Sequence, residues 1–206
     1  ILAPWKPSQN YFLKNMNKTI PSFDLYNLFL ERYRGGVREI DIKMIDQITI
    51  ELLKEKLDWE EGREIPPPIL NVFRYSLPRF QERHEVIKLV LDFSHSLRLF
   101  GENTWQEWEE YKPYYEKYTD TPQDLCDMYQ TTLLNIHHGY PILHPRAIEC
   151  MGYGGCLLSL SSSKSFPEDF KHHFTEGEHY ISFDYENFSD VAAAYLEKPE
   201  LCKKIG

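Results

Sequence analysis

The sequence predicts an α/β chain, with a parallel β-sheet flanked by helices in its second half and a mostly helical region before it. Three observations carry this. From Leu97 onward short apolar runs alternate with helical patterns, at Leu97–Phe100, 131–136, Cys156–Leu160 and Tyr180–Phe183. Strands separated by helices imply parallel pairing through crossovers. Cys156, Leu157, Leu158 and Leu160 form a nearly continuous apolar run, as in a strand covered on both faces. Residues 22–94 instead keep a helical period. The expected division is a helical cap or insertion over residues 1–95 and a sheet domain over residues 96–206.

Taken in order, Ile1–Pro4 reads as the tail of a strand stopped by Pro4 and Pro7, and residues 5–20 read as irregular. Ser22 caps a helix to about Tyr33, with Leu25, Phe29 and Tyr33 on one side. Residues 41–57 form a second helix whose buried stripe is Ile45, Ile48 and Leu52. After the Pro66-Pro67-Pro68 break a helix runs from Ile69 to Phe93, bent at Pro78. Residues 102–119 read as an aromatic-rich loop. Thr121-Pro122-Gln123-Asp124 starts a helix to about Gln130, with proline at its first position and an acid in its first turn. The strand 131–136, the loop 137–144 and a short helix from Pro145 follow. Beyond the strand 156–160 come a polar loop at 161–165, a short helix at 167–174, the strand 180–183, a helix at 187–197 and a last helix from Pro199.

Composition narrows the function. The 206 residues are 42% hydrophobic and 15% aromatic, enough for a real core, and 27% charged without a long polar tract. The net charge of −9 argues against a nucleic-acid-binding surface. No apolar run reaches the length of a membrane span, and no signal-peptide pattern is present. The four cysteines have no zinc-like spacing and read as free thiols in a reducing compartment, the cytoplasm. The start at Ile1 reads as a domain cut from a longer protein.

The richest stretch is His144-Pro-Arg-Ala-Ile-Glu-Cys-Met-Gly-Tyr-Gly-Gly-Cys-Leu-Leu-Ser159. Pro145 suits a first helical position, and Arg146 and Glu149, three apart, share a face. Gly152, Gly154 and Gly155 end the helix. In an open parallel sheet, ligands bind beyond the carboxyl ends of the strands, and the loop 137–144 leads there. A helix start with unpaired N–H groups and partial positive charge suits a phosphate, and Arg146 adds a fork of donors.

This stretch resembles the donor-site segment of GT-B glycosyltransferases, in the family-1-like group that includes the spore-maturation glycosyltransferase-like proteins. The likeness continues through Phe170, Phe174-Thr-Glu-Gly-Glu-His-Tyr180 and Asp184 to Tyr195-Leu196-Glu-Lys-Pro199, and reaches upstream to Leu99-Phe100-Gly101 and Trp105, so it spans roughly residues 84–206. It implies the Rossmann-like C-terminal half of a GT-B enzyme, with the helical region as an insertion or cap and the N-terminal acceptor half absent. It implies a nucleotide diphosphate sugar as donor, an acceptor of unknown identity, and no metal or other cofactor. By the same resemblance Arg146 and the helix start would hold the diphosphate and Glu149 the ribose hydroxyls. The fragment alone is expected to be inactive. Many retaining members carry an acid eight positions before the second one; here that position is Pro141. A retaining acid-pair mechanism therefore lacks its first member.

Other readings stand beside these. Arg146 and Glu149 also read as a surface ion pair. His144 reads as a phosphate or sugar contact or as a solvent-facing helix-start histidine, and Asn135 as a donor contact or a strand-end polar group. Gly154 and Gly155 complete the candidate binding set. His137-His138 and His172-His173 invite a metal reading, but neighbours in extended chain point opposite ways and no carboxylate sits at ligand spacing, so no metal is expected there. The aromatic group Trp105, Trp108, Tyr111, Tyr114, Tyr115 and Tyr118 reads as a partly buried loop rather than a stacking platform. The competing class is a non-catalytic binding or interaction module that keeps the half-fold.

Overall fold

The computed structural model describes residues 10–13, 18–33, 41–57, 60, 62, 64–65, 67–138, 143–161 and 170–206. The chain forms two compact units, one of Arg83–Leu97 with Tyr118–Gly206, the other of Arg98–Lys117 with the described part of Leu2–Glu82.

In the first unit a parallel sheet of β5 (Asn135–His137), β6 (Leu157–Leu160) and β7 (Ile181–Phe183) runs in the order β5-β6-β7. Parallel neighbours need a crossover, and α6 (Pro145–Gly152) supplies the one from β5 to β6. All four residues of β6 are buried, as its apolar run predicts. Its side chains alternate between two cores. Leu158 and Leu160 join Ile181 and Phe183 with Val86 and Val90 of α4 (Leu77–Phe93), Phe188 and Ala192 of α7 (Phe188–Leu196), and Cys202 of α8 (Pro199–Ile205). Leu157 faces the other way, into a core with Tyr129 of α5 (Pro122–Thr131) and Ala147 and Cys150 of α6. Helices thus cover both faces of a parallel sheet, the Rossmann-like arrangement expected.

Two elements differ from expectation here. The strand foreseen at 131–136 begins only at Asn135, because α5 runs on to Thr131, whose hydroxyl donates to the Asp127 carbonyl (2.6 Å) and holds the last helical turn. The helix foreseen at 167–174 lies partly outside the described residues; Phe170–His172 is a single 3₁₀ turn.

The second unit holds α1 (Ser22–Arg32), α2 (Ile42–Leu57) and α3 (Pro67–Asn71), the last continuing through a π-helical turn at Val72–Ser76 into α4. Just before Pro78, where the sequence predicts a bend, the helix carries this turn. Pro78 has no N–H to offer the Arg74 carbonyl, and the ladder widens, with Leu77 N–H bonding the Val72 carbonyl five residues back. Ile45, Ile48 and Leu52 are buried as the stripe predicts, with Phe29 stacked on Tyr33 at 5.0 Å. Arg74 grips Asp46 with two bonds of 2.6 Å, tying the π turn to α2. In the stretch 5–20, read as irregular, β1 (Asn10–Leu13) pairs antiparallel with β2 (Lys18–Pro21).

Leu99–Phe100 is a strand, β3, but not of the three-stranded sheet. It pairs in parallel with β4 (Tyr115–Lys117), a strand the aromatic loop concealed. Gly101 N–H extends the ladder to the Lys117 carbonyl at 3.1 Å, and Arg98 bonds Glu116 at 3.0 Å. Trp105, Trp108 and Tyr111 are buried beside it, with Trp105 edge-on to Tyr111 at 5.9 Å and Trp108 5.7 Å from Phe80. The buried-loop reading of these aromatics holds for those three; Tyr118 is exposed.

Candidate functional site

The site is built on α6. Pro145 opens the helix, where its missing N–H costs nothing. His144 caps it, its Nδ1 accepting from Arg146 N–H at 3.2 Å. The Ala147 and Ile148 N–H groups both reach the His144 carbonyl, at 2.9 and 3.2 Å. The helix start therefore does not offer the unpaired N–H groups the sequence suggests. One histidine satisfies the first turn with ring and carbonyl together, and an anion there meets the helix dipole and must compete with His144 for the Arg146 N–H.

Ala147 and Cys150, three apart, bury the inner face of α6. Tyr129 of α5 donates its hydroxyl to the Arg146 carbonyl at 3.1 Å, fixing the first turn from beneath. Burial, with the Cys150 sulfur next, pushes the Tyr129 phenol well above its usual range, so it stays protonated and remains a donor.

Because α6 runs back against the strands, its start lies at the carboxyl end of β5 and its exit at the amino end of β6. Eight residues at about 1.5 Å each separate those ends by roughly 12 Å. The structure thus divides the six residues singled out in the sequence. His144, Arg146 and Glu149 come together at the start. Asn135, Gly154 and Gly155 gather at the far end. Asn135 is the first residue of β5, and its amide donates to the carbonyls of Tyr129, Thr132 and Cys156 at 3.1, 3.3 and 3.4 Å. Gly154 makes the left-handed turn out of α6 at φ 80°.

Arg146 Nη1 donates to Glu149 Oε2 at 2.8 Å, and both side chains are a little under two-fifths exposed (38% and 39%). A pair this open is worth little to stability, so its residues are available for other partners. Among the described residues the remaining guanidinium N–H groups of Arg146 have no partner, so they can turn to an anion.

Sequence reasoning weighed His137 only as a metal ligand and passed over Ser159 and Ser182. His137, Ser159 and Ser182 stand at one register across β5, β6 and β7. The His137 ring lies 5.9 Å from that of His144 and edge-on to Phe170 at 6.3 Å. Ser182 is held by Glu176, whose carboxylate also accepts from the Ser182 N–H at 3.2 Å. The available signal was a lone serine within the apolar run Leu157–Leu160. Among the described residues no three His, Cys, Asp or Glu side chains gather as a metal site. His172 and His173 are exposed in the turn after Phe170.

A family model described as glycosyl transferase-like matches residues 81–206. The chain belongs to that family. The match covers the sheet, α6 and both cores of the first unit, and agrees with the C-terminal domain of a GT-B glycosyltransferase, so the function is of glycosyltransferase type. No curated protein and no solved structure matches the chain. Among the described residues no helix is long and apolar enough to cross a membrane.

Proposed function

We propose that this chain is the donor-binding half of a glycosyltransferase that moves a sugar from a nucleotide diphosphate sugar to an acceptor. The supporting observation is the meeting of His144, Arg146 and Glu149 at the start of α6, at the carboxyl end of a parallel strand and inside the family match. In this reading the diphosphate lies against Arg146 and the positive end of the helix. Fixed donors stabilise the leaving group, without a metal. Glu149, released from Arg146 by the incoming phosphate, accepts from the ribose hydroxyls. The free cysteines suit a reducing compartment, the cytoplasm.

A second reading is an interaction module that keeps the half-fold. It is favoured by Pro141 in the place of an acid and by Arg146 and Glu149 being closed on each other. Calorimetric titration of the chain with UDP, GDP and ADP, with and without EDTA, separates the two. Binding of one diphosphate that survives EDTA supports the donor site. No heat from any of them supports the module.

A further inference from the structure

Ser159 is a polar residue in a strand that is otherwise leucine. It is 2% exposed, and its hydroxyl has no hydrogen-bond partner among the described residues. Burying a hydroxyl without a partner costs stability, so such a group calls for a physical reason. Its surroundings supply one. Leu158 and Leu160 point into the core shared with α7 and α8, so the Ser159 side chain lies on the opposite face with Leu157, under α5 and α6. In register beside it stand His137, the last residue of β5, and Ser182. The Ser182 hydroxyl is occupied by Glu176, whereas the His137 ring leads directly to His144, the cap of α6. Ser159 is thus an uncommitted donor near the carboxyl end of the central strand, on the side where the α6 start lies.

We propose that Ser159 is a ligand-binding residue, its hydroxyl donating to a phosphate oxygen of the nucleotide diphosphate held at the start of α6. This rests on the donor-site reading above and adds a contact from the sheet beneath the helix. The anion is the ligand group nearest to it, because the helix dipole and Arg146 draw negative charge to this end. A hydroxyl kept dry beside that position makes a stronger bond to an anion than one exposed to water.

The test compares Ser159→Ala and Ser159→Cys with the parent chain and with Arg146→Ala, using UDP and GDP as probes. Cysteine keeps the volume and is only a weak donor. Without ligand, both Ser159 variants are expected to melt at or above the parent temperature, since an unpartnered hydroxyl has been removed. With ligand, both should bind the preferred diphosphate about ten- to a hundredfold more weakly. If both bind as the parent does while Arg146→Ala is weakened, the proposal fails and the donor site stands. If both melt below the parent without ligand, the hydroxyl is a structural partner and the proposal fails. If the parent binds neither diphosphate, the proposal falls together with the donor reading.

Discussion

Gly155 lies flat against Cys150. The Cys150 thiol donates to the Gly155 carbonyl at 3.3 Å, Gly155 N–H returns a bond to the Cys150 carbonyl at 2.8 Å, and a methyl group built on Gly155 would sit 2.9 Å from the sulfur. The same methyl would also meet Tyr129 Cβ at 2.9 Å and Asn135 Nδ2 at 3.1 Å, so no single neighbour can yield to make room. Gly155→Ala is expected to destabilise the fold by about 1–3 kcal/mol, as overpacking does. Gly152→Ala, with nothing within 4 Å, is the control and should be near neutral. Urea denaturation of the two variants checks this, and equal midpoints would refute the close packing.

Arg146 and Glu149 should separate binding from stability. Each alanine substitution removes one half-exposed ion pair, worth less than about 0.5 kcal/mol. Binding of a nucleotide diphosphate should fall by about 1.5–3 kcal/mol, or roughly ten- to a hundredfold. Arg146→Lys keeps the charge but loses the planar fork, and should recover only part of the loss. Paired calorimetry and thermal melting decide. Large losses of melting temperature without loss of binding would make the pair structural.

Acid should weaken the fold through His84. Its side chain is 5% exposed, and burial, followed by the charges of Lys88 and Arg83, lowers its pKa to about 3. The unfolded chain takes up that proton near pH 6.5, a typical histidine value. Between about 6.5 and about 3 the unfolded state thus binds more protons than the folded one, and stability falls as pH falls. One such group contributes a slope of up to about 1.4 kcal/mol per pH unit. His84→Gln should flatten the dependence in that window, measured by urea midpoints from about pH 7 to about pH 5. An unchanged slope would show that His84 titrates alike in both states.

The four thiols should react in two classes. Cys126 is half-buried, whereas Cys150, Cys156 and Cys202 are buried. Burial pushes the Cys150 thiol up to about 12 and raises those of Cys156 and Cys202 as well. The thiolate is the reactive form, so these three should be inert in the native protein. An aromatic disulfide reagent should therefore titrate one thiol quickly and the remaining three only after denaturation. Rapid reaction of a second thiol would contradict the packing around β6.

The sequence by itself determined the features that local rules govern. The change of period after Phe93, the apolar run of β6, proline at the start of α6 and glycine at its exit each depend on a few consecutive residues, and each reappears in the structure. Only the tertiary structure decided what depends on partners far along the chain. Leu99–Phe100 is too short to carry a register of its own, and its hydrogen bonds went to Tyr115–Lys117 rather than to the larger sheet. Asn135 and Gly155 belong to one candidate binding set with Arg146, but Asn135 opens β5 and Gly155 follows α6, so both lie at the end away from Arg146, where carbonyls take the Asn135 amide and the Cys150 sulfur packs on Gly155. His144 closed the helix start that looked open, since a side-chain acceptor outcompetes water for an N–H beside it. Ser159 gained its meaning only from the strands on either side, because the face a strand residue occupies, and whether its hydroxyl finds a partner, is set by its neighbours in space.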